Sequence, residues 1–346
     1  MTNQKCAAVA LVLLPLMMSG ARVSGQGEAG ASSGSGLILV DKRGNHVRFF
    51  NARTFDEVSS FSTGDKAPHE VALSADRRTA YIPIYGDGVI NNNPHPGSTL
   101  LIVDVPSRQL SATVDLSPCL APHGIQIDAR GMLYIVCDIS RTLVVFDPRT
   151  RRIEYTVDVE GSGHWLALLP DASKAYVSHQ GGAQFISVID LKARKLVGRI
   201  PTPSAGIVAS PDGKRVYAIS REPFPATVVV IDSAGDRIVD RVAVQGHSQP
   251  GYKLHVTADG KTLVTSGFEG GSRESMINVW STTDLHGTQK MFRAGKGTMG
   301  FAVAPDGRTM LLGNDGDGTV TVADLQRGEV TRTFKGGVGI ENLSYY

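Results

Sequence analysis

One short phrase recurs through the chain: an apolar run, a polar turn, and a second apolar run. The turns read SADRR, DARGM, LPDAS, SPDGK, TADGK and APDGR, centred on Asp76, Arg130, Asp171, Asp212, Asp259 and Asp306, and they lie 54, 41, 41, 47 and 47 residues apart. A further strand follows each turn: LLIVDV, LVVFDP, ISVIDL, VVVIDS, INVWST and VTVADL. Four short strands per unit of about 40 to 45 residues is the spacing of a propeller blade, and helical periodicity is nearly absent. The expected fold is therefore all-β.

Six such units begin within residues 66–336, which leaves the two ends to be placed. LILVDK, HVRFFN and EVSSFST (residues 37–62) read as second, third and fourth strands lacking a first, whereas VGIENLSYY at the C-terminus reads as a first strand lacking followers. Joined, they supply a seventh blade and remove the open edges that invite aggregation. The prediction is a seven-bladed β-propeller over residues 37–346, its ring closed by the C-terminal strand.

Ahead of it, Met1 and Lys5 precede an apolar run from Cys6 to Met18, then small residues suited to cleavage. This reads as a secretory signal peptide over residues 1–25, too short for a spanning helix, with a Gly/Ser-rich spacer at 26–36. No later stretch reaches membrane-spanning length. The mature chain is thus expected to be periplasmic or secreted, with no integral membrane segment after signal removal, and monomeric. A formal net charge of +2 on 346 residues gives no footprint for nucleic acid. Export leaves Cys119 and Cys137 where disulfides can persist; a bridge, closing a loop of about eighteen residues worth roughly 3 kcal/mol, stands beside the alternative of a reactive or metal-bound thiol.

Seven residues back from each turn centre, at the start of each innermost strand, stand His69, His123, His164, Ala205, Tyr252 and Met299, with Ile340 as the seventh. Equal phase means equal direction, so these side chains should ring the channel mouth. The following slot holds Glu70, Gly124, Trp165, Gly206, Lys253 and Gly300, with Glu341 as counterpart in the closing blade. Loops between second and third strands emerge at the same face and carry residues 91–95, Asp138 and Arg141, His179, Arg221 and Glu222, Glu269 and Arg273, and Asn314 and Asp315. The first of them, residues 86–99, is long enough to serve as a lid.

Three converging imidazoles with a carboxylate nearby match the ligand set of zinc or a similar divalent metal that keeps a position for water. On this reading His69, His123 and His164 are the ligands and Glu70 is a fourth ligand or the base. Arg221 or Lys253 then holds a substrate carboxylate or an oxyanion. Two other readings stand beside it: one imidazole acting as a metal-free general base with Glu70, or histidines that only bond to neighbouring loops and plug the channel.

The pattern SPDGKRVY, the strands ending VVVID and the segment PHEVALSADRRTAYIPIYG resemble the YVTN-repeat and seven-bladed lactonase-like propellers, over about residues 37–346. That resemblance implies an exported small-molecule hydrolase or lyase acting at the channel mouth, with His123, His164 and Arg221 at positions matching the family's site. Here Ser220 replaces the family's Asn beside that arginine, and SHQGG (residues 178–182) stands where lactonases carry an Asn-Glu pair, which argues against sugar-phosphate lactones. The family equally allows a non-enzymatic binding or scaffold propeller of the cell envelope. A haem-binding propeller is disfavoured by the lack of a CxxCH motif.

Overall fold

The computed structural model describes Met1 and residues 36–89, 92–220, 225–246, 249–269 and 273–346, with backbone alone at 249–252 and 269. The rest of the expected signal peptide and nearly all of the spacer lie outside the described residues. So do Asn91, Arg221 and Glu222.

Seven antiparallel sheets make up the described residues, six of them in sequential order from an innermost to an outermost strand. The closing blade combines Ile340–Tyr345 with Gly36–Asp41, His46–Asn51 and Glu57–Ser62, and Leu39 faces Leu343 across the junction. The chain is a seven-bladed β-propeller, closed as its terminal strands imply. No helix long and apolar enough to cross a membrane occurs among the described residues.

Burial explains the strand chemistry. Second and third strands are covered on both faces by neighbouring blades, so they read as continuous apolar runs: Leu133–Cys137 is buried throughout. Outermost strands such as Glu329–Lys335 are mostly exposed and polar. Seven clusters of buried apolar side chains fill the seven blade junctions. Trp280, for example, packs with Tyr217 and Val230 of the preceding blade.

The recurrent turns share one backbone device. The residue after each turn centre is left-handed: Arg77, Gly131, Ala172, Gly213, Gly260 and Gly307 all have positive φ. The Asp at the centre accepts a bond from the backbone N–H two residues on, as Asp212 Oδ1 does from Lys214 at 3.0 Å. Where Arg130 replaces that Asp, Asp128 accepts instead, from the N–H groups of Arg130 and Met132. Cys119 and Cys137 are bridged, with Cα atoms 5.4 Å apart, pinning the segment that leads into His123.

Candidate functional site at the channel mouth

The innermost strands do not run straight into the mouth. In the second blade Ile135 pairs with Ile125 and Cys137 with Pro122, so His123 and Gly124 together oppose one residue, Val136. The same irregularity leaves His164 as the extra residue between Gly163 and Trp165, Met299 between Thr298 and Gly300, and Glu341 between Ile340 and Asn342. The first blade's inner strand is interrupted between Pro68 and Ala72, where His69 and Glu70 leave the ladder. A bulge re-aims one side chain. Repeated from blade to blade, it turns the slot residues toward the axis.

This corrects the register of the closing blade. The other slots are counted from a turn, but the closing blade has none; its bulge falls at Glu341, so Ile340 lies one residue before the histidine slot and Glu341, expected beside Glu70, stands in it. Glu341 therefore joins the histidines. Asn342 takes the following slot and donates to Glu70 Oε2 through Nδ2.

His69, His123 and Glu341 each offer one ligand atom, and these atoms lie within 4.8 Å of one another. All three residues are buried, at 3%, 0% and 1% exposure. Neither ring nitrogen of His69 nor of His123 has a hydrogen-bond partner among the described residues, and neither has Glu341 Oε1. His69 Nδ1 stands 3.8 Å from that oxygen, too far to bond it. An unpartnered buried polar atom costs about 1–3 kcal/mol, so five in one cluster mark a place where something else supplies the partners.

His164 packs against His123 with ring centroids 3.5 Å apart and the planes tilted by 34°, outside the tightest ligand set, and its Nδ1 lies 3.9 Å from Asp138 Oδ2. Tyr85 donates to that same carboxylate at 2.6 Å and packs its ring 4.6 Å from His69. Gly124 permits this crowding, because a Cβ there would meet the His164 carbonyl oxygen at 2.7 Å.

Burial, joined by the charge of Lys42 and by His164, holds the His69 imidazole well below its ordinary range. Burial and the neighbouring His164 and His69 do the same for His123. Both rings are therefore neutral, the form that ligates metal. Burial pushes the Glu341 carboxyl up, opposed by Lys42, whose Nζ is 3.4 Å from Glu341 Oε2. Burial likewise raises Asp138, while the Tyr85 hydroxyl holds it down.

Glu70 and Lys253 form a separate layer. Glu70 Oε1 accepts from Lys253 Nζ at 2.5 Å and from Trp165 Nε1 at 2.9 Å, and the ammonium lies 5.1 Å from the Trp165 ring centre. Three blades are thereby tied to the closing one across the channel. Two cavities of about 210 Å³ flank this arrangement: one lined by Glu70, Trp165, Lys253, Phe301 and Asn342, the other by Lys42, His69, Tyr85, His164, Gln180 and Glu341. Met299 borders both. The structure thus brings His69, His123 and His164 together, with Glu341 added, and sets Glu70 and Lys253 one layer away.

Sequence reasoning passed over Lys42 and Tyr85. The rule that second-to-third-strand loops open at the mouth reaches Lys42 when applied to the turn after LILVD. Tyr85 is the last but one residue of the first blade's second strand, Thr79–Gly86, and no residue type or spacing singles it out.

No family model matches the chain, and no curated protein matches it. Solved structures do. A chain of Kuenenia stuttgartiensis hydrazine synthase superposes with a TM-score of 0.71 at 18% identity, covering 82% of this chain and 91% of that one. A functionally unknown protein from Desulfotomaculum acetoxidans gives 0.71 at 13% identity, covering 88% and 98%. The β-propeller domain of Myceliophteria thermophila Cps50 (Swd1) gives 0.64 at 11%, covering 80% and 88%. Identities this low establish shared architecture alone.

Proposed function

We propose that the protein is an exported, metal-dependent hydrolase or lyase of small carbonyl compounds such as lactones or esters. One observation carries the reading: the five unpartnered ligand atoms of His69, His123 and Glu341, buried together at the mouth of a channel. Two imidazoles and a carboxylate make a donor set for zinc or a similar divalent transition ion, with positions left for water and substrate. Such an ion, when bound, lowers the pKa of a bound water toward about 7 and polarises a carbonyl.

The chain's own residues complete the site. The Tyr85 hydroxyl, fixed on Asp138, keeps that carboxylate turned toward His164, which packs against His123 and limits its rotation. Glu70 and Lys253 brace the innermost strands beneath and narrow the channel, so that substrate enters from the mouth. With liquid water occupying about 30 Å³ per molecule, a cavity of about 210 Å³ accommodates a compound of roughly seven non-hydrogen atoms. The apolar leader read in the sequence supports export.

A lactone and ester panel assayed with and without chelator tests this. Turnover should vanish on chelation, return with Zn²⁺, and be absent from His123→Ala. Unchanged turnover by metal-free protein would overturn the reading.

A further inference from the structure

Lys42 lies in the turn joining Gly36–Asp41 to His46–Asn51, and it is the cation lining the mouth cavity among the described residues. Its side chain keeps 19% exposure, and its ammonium reaches the cluster, 3.4 Å from Glu341 Oε2. The neighbouring cations are already engaged. Arg43 is held by both carboxylate oxygens of Asp315 at 2.5–2.9 Å, and Lys253 by Glu70 at 2.5 Å.

Lys42 is held more loosely. Its one hydrogen bond to a carboxylate is 3.4 Å long, to Glu341 Oε2, the oxygen turned away from the unpartnered Oε1. A divalent ion at the cluster would draw on the charge of Glu341 and weaken that pairing further. The local charges then favour an anion. A divalent ion and Lys42 bring about three positive charges, Glu341 and an ionised Asp138 about two negative ones, the buried imidazoles none, and Glu70 cancels Lys253.

We propose that the mouth selects small substrates bearing a carboxylate, and that Lys42 is the residue that recognises it. This rests on the metal site proposed above. The carbonyl group undergoing reaction sits over His69, His123 and Glu341, and the carboxylate reaches outward to the Lys42 ammonium. Compounds of this class, lactones of small hydroxy diacids and oxo acids among them, fit a cavity of about 210 Å³.

The test loads the full chain with Co²⁺ and follows its visible absorption during titration with lactate and with lactamide, its neutral counterpart. Lactate should perturb the spectrum at concentrations at least tenfold lower than lactamide. Lys42→Met should hold Co²⁺ at least as tightly as wild type, lose about tenfold in lactate affinity and leave lactamide unchanged, while Lys42→Arg should recover part of the loss. Equal binding of the two compounds, or a lactate affinity indifferent to Lys42→Met, would overturn carboxylate selection while leaving the metal site standing. Failure of the wild-type chain to take up Co²⁺ would overturn the metal site and this inference together.

Discussion

Replacing Lys253 with Met tests whether the layer beneath the mouth is a coupled ionic brace. Lys253 and Glu70 retain only 12% and 7% side-chain exposure, so each charge depends on the other rather than on water. Removing one partner of a buried pair costs about 3–5 kcal/mol. The low end applies here, because Glu70 keeps its bonds from Trp165 and Asn342. Lys253→Met should therefore cost about 3 kcal/mol, and Glu70→Gln, which strands the ammonium, a similar amount. The double variant buries no unpaired charge and should cost scarcely more than either single change, a departure from additivity of about 2–3 kcal/mol. Urea unfolding of the four proteins at pH 7 measures this directly. Single changes costing under about 1 kcal/mol, or a double variant equal to their sum, would refute the brace.

Three further outcomes follow from the scaffold. Ala172 occupies, at φ 53°, the left-handed turn position that Gly213, Gly260 and Gly307 fill elsewhere, so Ala172→Gly should raise stability by about 0.5–1 kcal/mol; an unchanged or lower melting temperature would contradict this. Burial lowers His179 to about 4, so between pH 6.5 and 4 the unfolded chain binds a proton that the folded chain refuses. Stability should fall by about 3 kcal/mol as pH drops through that window, and the unfolding free energy of His179→Gln should fall less steeply there. Ser187 donates to the Val159 carbonyl and accepts from His179 Nε2, so glutamine keeps a donor for the bond. Replacing Cys119 and Cys137 together by Ala should cost about 3 kcal/mol in denaturant unfolding, and a loss below about 1 kcal/mol would count against that bridge as a staple.

The fold could be read from the chain because its signals are local and repeated. Polar turns, centred on Asp in five of six units, and two-sided apolar strands recur along the chain, and the orphan strands at the two ends each supply what the other lacks. The convergence of His69, His123 and His164 was legible for the same reason. Glu341 was misplaced by one residue because a bulge is set by how two strands hydrogen-bond across a junction, and residue types within one strand do not encode it. The engagement of Glu70 with Lys253, Trp165 and Asn342 was out of reach for a related reason. Those partners come from three other blades, 95 to 272 residues away in sequence, and they meet only when the ring is closed.

His69, His123 and Glu341 together should hold a divalent metal. Elemental analysis of the purified chain after dialysis against excess Zn²⁺, set beside His69→Ala, His123→Ala and Glu341→Gln, tests it most directly. About one zinc per wild-type chain is expected, with a large loss in each variant whose fold is retained by circular dichroism. Zinc-free wild-type protein, or variants that keep the metal, would contradict it.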